Sequence, residues 1–257
     1  MNTEYFWAYR TDLPPSIGVK TFSILHITWV IATILIMALI IYLYRRQNEA
    51  NRYRIQVAAA VLMALGYAGR WIWLASIGHY TIVESLPLQL CSISVFVELA
   101  AVITGNTILK EFTYSCGLPG AVSSLIIPGM GPYPFFSYFY LQFAVAHATL
   151  ILIPLLWILV DGYRPNIRNL PKSVGLFSFF VAIAFFVNLQ IGSNYMFLNH
   201  TRDNTLMTPF EAWLGYPYYL IPFGLFVLLA WAILYVPWAL QPAIASDCET
   251  SQLEGSL

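Results

Sequence analysis

Apolar runs separated by short polar stretches fill almost the whole chain. Runs near 22–44, 55–77, 86–104, 113–128, 138–160, 173–191 and 216–240 approach or reach the roughly 17–25 residues that a helix needs to cross a bilayer. The pattern predicts an all-α fold, a polytopic transmembrane helix bundle of about seven spans. The fourth run is short and rich in small residues ("SCGLPGAVSSLIIPG"), so it is expected to tilt, break at Pro119 or re-enter. Residues 1–245 read as one transmembrane domain, and 246–257, "DCETSQLEGSL" with the residue before it, as a disordered cytoplasmic tail.

Composition supports this class. Hydrophobic residues make up 59% of the chain and charged residues 9%, too little charge to cover a water-facing surface. The net charge is zero, which gives no basis for a nucleic-acid partner. The cysteines have no disulfide or zinc spacing. The opening "MNTEYFWAYRTDLPPS" lacks a basic stretch followed by an apolar one, so the first span is expected to direct insertion, as a multi-pass protein of the plasma membrane. Charge sets the expected orientation. Alternate loops carry Arg45, Arg46, Arg52, Arg54, Lys110, Arg164, Arg168 and Lys172, against Arg10, Lys20 and Arg202 on the other side. The positive-inside rule then puts the N-terminus outside and the C-terminus inside.

Several polar residues lie inside the runs. At ~1.5 Å per residue, Cys91 enters roughly 8 Å below the outer surface and His147 roughly 14 Å. Arg70, His26, Asn188 and Gln190 share that outer third, and Glu98 lies near mid-span. Polar groups in spans face the bundle interior or a wet cavity, so a polar cavity in the outer half of the bilayer is expected. Cys91, Ser94, Val95 and Glu98 follow i, i+3, i+4, i+7 and share a helix face, as do Tyr140, Phe143 and His147. Bland readings stand beside this one. Arg70 and Glu98 read equally as a buried ion pair fixing register. A lone Cys or His in a span is commonly a packing residue. His26, Cys91, Glu98 and His147 match no known ligand spacing, so no metal or other cofactor is expected.

The segments "LPLQLC", "FAVAHATLILIPL", "DGYRP", "GSNYMFL" and "LGYPYYLI", in that order, resemble the bacterial YwaF-like family of integral membrane proteins. That family is in turn similar to animal transmembrane protein 164, a lipid acyltransferase. The resemblance runs from about the third span to the last. It implies Cys91 as nucleophile and His147 as its base, and it places Asn194 in a shared asparagine–tyrosine motif. The chain departs from the family pattern at Gln89, where His is typical, and at Ser123, Ile127 and Gly129, which replace Gln, Thr and Asp.

On this reading Cys91 attacks an ester carbonyl of a membrane phospholipid, His147 takes the thiol proton, and a lysophospholipid accepts the acyl group. Asn188, Gln89 and Arg70 are the expected oxyanion donors, with Glu98 pairing with Arg70 or orienting His147. His26, Ser94, Gln190 and Asn194 are expected to line the cavity. The alternative is a small-solute transporter or receptor that uses the same polar groups without covalent chemistry.

Overall fold

The computed structural model describes residues 3–201 and 207–239. Arg202 and the 246–257 tail lie outside the described residues. Ten helices follow in order: α1 (Ile24–Arg45), α2 (Glu49–Ser76), α3 (Ile82–Ser85), α4 (Leu90–Thr104), α5 (Thr107–Phe112), α6 (Leu118–Ile126), α7 (Tyr138–Leu159), α8 (Leu170–Ile191), α9 (Thr208–Leu214) and α10 (Leu220–Ala239), among the described residues. A π-helical turn, Thr113–Gly117, fuses α5 to α6. The fold is all-α, with no strand among the described residues.

Side-chain caps set several helix starts. Ser23 accepts from His26 N, Asn48 from Asn51 N, Asn106 from Ile108 N and Leu109 N, and Ser137 from Tyr140 N. The Asn48 cap starts α2 six residues before the apolar run does, so most of the arginine-rich loop is itself helical. Gly105 ends α4 at φ 66°, where a side chain on the residue would be strained.

Five helices are long and apolar enough to cross a membrane: α1, α2, α7, the segment Ile167–Ile191 that contains α8, and α10. The third and fourth predicted runs differ. Helix α4 has 15 residues, about 22 Å at 1.5 Å per residue, less than the roughly 30 Å of hydrocarbon. The fourth run does not break at Pro119. A proline inside a helix strands the carbonyl four residues back. Here that carbonyl belongs to Ser115, and Trp231 Nε1 donates to it at 2.9 Å. The π turn directly before Pro119 provides the slack.

Helix α7 is central, packing on α1, α2, α4 and α6. Lipid gives little hydrophobic drive for helices to associate, so close approach matters more. Ala60 of α2, Ala101 of α4 and Ala121 of α6 are fully buried and let backbones meet. Polar networks close the bundle at the Arg45 end. Asp161 accepts from Tyr44 Oη and Gln56 Nε2, both at 2.8 Å, while Trp157 Nε1 donates to Gln56 Oε1 at 2.7 Å. Nearby, the fully buried Glu111 accepts from Tyr163 Oη at 2.8 Å, from Asn166 N at 3.3 Å and from Tyr235 Oη. The "DGYRP" segment thus supplies ties between helices, and Tyr235 fastens α10 to them.

Candidate active site around Cys91

Two features place Cys91. First, Pro87 disfavours helix in the residue before it, and α4 begins only at Leu90, so Cys91 stands in the helix's first turn. Second, the loop after α8 holds the strand of chain that leads into α4. Asn188 Oδ1 accepts from Ser193 Oγ at 2.7 Å and Tyr195 N at 2.8 Å, and its Nδ2 donates to Tyr195 O at 3.0 Å. Tyr195 Oη then donates to Ile82 O at 2.5 Å and accepts from Leu86 N at 2.9 Å. Met196, in left-handed backbone at φ 56°, turns its N–H onto Gln89 Oε1 at 2.9 Å. Gln89 is the residue before the helix, and its side chain does not cap it. The first-turn amides of Leu90, Cys91 and Ser92 therefore point out of the helix end uncapped by that side chain.

Around the half-buried thiol stand three other elements. From α6, Ser124 Oγ lies 3.8 Å from Cys91 Sγ. From α7, the buried imidazole of His147 is an electrostatic neighbour of the thiol. From α2, the Tyr67 hydroxyl neighbours Cys91 and lies beside the side chains of Ser92 and Gln142. His147 Nδ1 lies 2.7 Å from Phe143 O, and the Phe143 ring packs on the imidazole at 4.1 Å. A carbonyl only accepts, so Nδ1 carries the proton, and Nε2 is left as the basic nitrogen. The shared face expected for Tyr140, Phe143 and His147 is present.

Several expected site residues do other work. Asn188 commits both ends of its amide to the Ser193–Met196 turn, Oδ1 accepting and Nδ2 donating to Tyr195 O, while Gln89 gives its oxygen to the same turn. Arg70 does not pair with Glu98; its guanidinium lies 5.5 Å from the Phe139 ring centre. Glu98 is fully buried, and neither carboxyl oxygen has a hydrogen-bond partner among the described residues, so it orients nothing. It lies on α4 two turns beyond the thiol. Ser94 is likewise fully buried without a partner for Oγ, packed beside Gly117 of the π turn. His26 is a structural residue: Phe22 N donates to Nδ1 at 3.0 Å, and Nε2 donates to Leu125 O at 3.1 Å. Asn194 folds its own loop, accepting from Asn199 N at 3.0 Å and donating to His200 O at 2.7 Å. Gln190 is exposed on α8 rather than lining a cavity.

Sequence reasoning missed Ser124, Tyr67, Gln142 and the first-turn amides of α4. The amides were signalled by Pro87, which delays the helix start. The other three depend on helix packing and left no local pattern. No group of three or more His, Cys, Asp and Glu side chains suited to a metal ion occurs among the described residues.

The sequence profile of the TMEM164 family matches residues 21–235 of the chain. No curated protein and no solved structure matches it.

Proposed function

The chain belongs to the TMEM164 family of membrane proteins, and from that premise and the geometry around Cys91 we propose that it transfers acyl groups between membrane lipids through a cysteine thioester. One observation carries the reading: a half-buried thiol in the first turn of an uncapped helix, facing an imidazole whose Nδ1 is tied to a backbone carbonyl.

The steps balance around these groups. Cys91 Sγ bonds to the ester carbonyl carbon of a phospholipid, and the thiol proton passes to His147 Nε2. Negative charge collects on the carbonyl oxygen. The α4 first-turn amides and the Ser124 hydroxyl can donate to it, and the positive end of the helix dipole favours charge there. As the tetrahedral intermediate collapses, the carbon–oxygen bond to the lipid breaks, and the departing lysolipid oxygen takes the proton from His147. A second lysolipid hydroxyl then attacks the thioester while His147 accepts its proton, and the thiol is restored. Exclusion of water by the surrounding spans favours transfer over hydrolysis.

The reading also comprises seven crossings, with α4 and the α5–π–α6 helix as the third and fourth, the N-terminus outside, and residence in the plasma membrane. The arginine-rich Arg45 end supports that orientation. On this reading the 15-residue α4 ends at Gly105 on the inner side and its Cys91 end lies in the outer half of the bilayer.

The test is acyl transfer from phospholipid to lysophospholipid by the purified chain in lipid nanodiscs. Cys91→Ala and Cys91→Ser are expected to lose at least about 10³-fold in turnover while retaining the wild-type unfolding temperature. Turnover in Cys91→Ala equal to wild type rejects the covalent route.

A further inference from the structure

Arg70 lies inside α2, short of the helix end at Ser76, and its side chain is half-buried. Other arginines of the chain find carboxylates: Arg10 pairs with Glu84 at 2.7 Å and Arg52 with Asp161 at 3.7 Å. Arg70 pairs with no carboxylate among the described residues, and its buried Nε has no hydrogen-bond partner. Rings surround it instead. The guanidinium lies 5.5 Å from the Phe139 ring centre, and Tyr67, Tyr133 and Tyr138 are its electrostatic neighbours. Aromatic faces attract a cation without neutralising it. An ionisable group kept in a span without a counter-charge is costly, and such groups mark binding sites and ion paths.

Position relates this cation to the thiol. Tyr67, one turn before Arg70 on the same face of α2, neighbours both the guanidinium and Cys91. Phe139, which the guanidinium contacts, precedes His147 on α7 by about 12 Å along the helix. There α7 begins and α2 approaches its end, with the Trp73 and Phe139 rings 5.0 Å apart. The guanidinium therefore stands between the reacting pair and the helix ends, where a bundle meets water. In a glycerophospholipid the phosphate and the acyl esters share one glycerol, with the phosphate on the water side of the esters. We propose that Arg70 binds the phosphate of the phospholipid whose ester reaches Cys91. A guanidinium meets two phosphate oxygens with parallel N–H···O bonds. The assignment rests on the acyl-transfer reading and adds what the protein recognises in the donor. A thiol and an imidazole treat the esters of a phospholipid and of a diacylglycerol alike; a cation beside them does not.

The experiment uses the full chain in detergent, with dibutanoyl phosphatidylcholine, dibutanoylglycerol and inorganic phosphate as probes, and in nanodiscs with the long-chain lipids as acyl donors. The wild-type protein is expected to be stabilised against heat by the phosphatidylcholine and not by the glycerol ester. Its KM for phosphatidylcholine should lie about ten-fold or more below that for diacylglycerol. Arg70→Gln should erase both differences, acting through KM rather than kcat, and Arg70→Lys, which keeps the charge, should restore part of them. If Arg70→Gln does not fold, the wild-type comparison of the two lipids decides. Equal stabilisation and equal KM for both lipids overturn the proposal, as does an Arg70→Gln protein that keeps the preference for phosphatidylcholine. Inorganic phosphate that stabilises as strongly as the phosphatidylcholine makes this a site for free phosphate and overturns the lipid assignment. Stabilisation that needs both the lipid phosphate and Arg70, in a wild-type protein that transfers no acyl group, keeps the Arg70 site and rejects the acyl-transfer reading instead.

Discussion

Replacing Gln89 tests whether the first-turn amides of α4 do chemistry. Gln89 precedes the helix with φ −75° and ψ 145°, the backbone of a capping residue, yet its side chain reaches Met196 N at 2.9 Å instead. Gln89→Ala loses that bond, at a cost of about 1 kcal/mol, and leaves the first-turn amides bare. Gln89→Ser loses the same bond but puts a hydroxyl within reach of the amides two and three residues on, which returns about 1 kcal/mol. The serine protein should therefore unfold at the higher temperature of the two. If those amides stabilise the oxyanion, covering one removes a donor, and such a loss costs about 10²–10³-fold in turnover. The more stable variant should thus be the slower one, by about 10²-fold per folded molecule. Thermal unfolding in detergent and acyl transfer in nanodiscs measure the two quantities on the same preparations. Equal turnover in the two variants, with the serine cap formed as judged by the stability difference, refutes the role given to the helix end.

Two further substitutions separate structural from chemical roles. Asn188→Ala strips three hydrogen bonds from a buried turn and should lower stability by about 2–3 kcal/mol; full stability of the alanine variant combined with collapsed turnover would return Asn188 to the oxyanion site. Glu111→Ala leaves two tyrosine hydroxyls and one backbone amide without their acceptor and should destabilise by about 3 kcal/mol or more, read as a lower unfolding temperature and easier proteolysis near α10; an unchanged unfolding temperature would show that the Tyr235 tie to α10 contributes nothing.

Much of the architecture was legible because lipid imposes a one-dimensional rule. A helix must satisfy its own backbone inside the bilayer, so long apolar runs such as 22–44 and 138–160 become α1 and α7 with little freedom in between. Face sharing was legible for the same reason: the 3.6-residue period aligns Phe143 with His147 wherever the helix lies. The start of α4 was misplaced because hydropathy continues smoothly through "SLPLQLC", and only Pro87 and the hold of Met196 on Gln89 stop the helix there. The roles of Asn188, Arg70 and Glu98 were misjudged because depth along a helix says nothing about rotation or about partners from other helices. Asn188 meets a turn seven residues on, Arg70 meets an aromatic ring, and Glu98 has no hydrogen-bond partner among the described residues.

By itself, then, the order of residues determined that this chain is a bundle of membrane helices and which residues share a helix face with Cys91 and with His147. Those properties depend on local periodicity and on solubility in hydrocarbon, which are read one segment at a time. Only the tertiary structure decided that the turn after α8 holds Gln89 and that Ser124 of α6 and Tyr67 of α2 lie beside the thiol. Each of those depends on contacts between segments far apart in the chain, where the angle at which two helices cross selects the partner that a side chain meets.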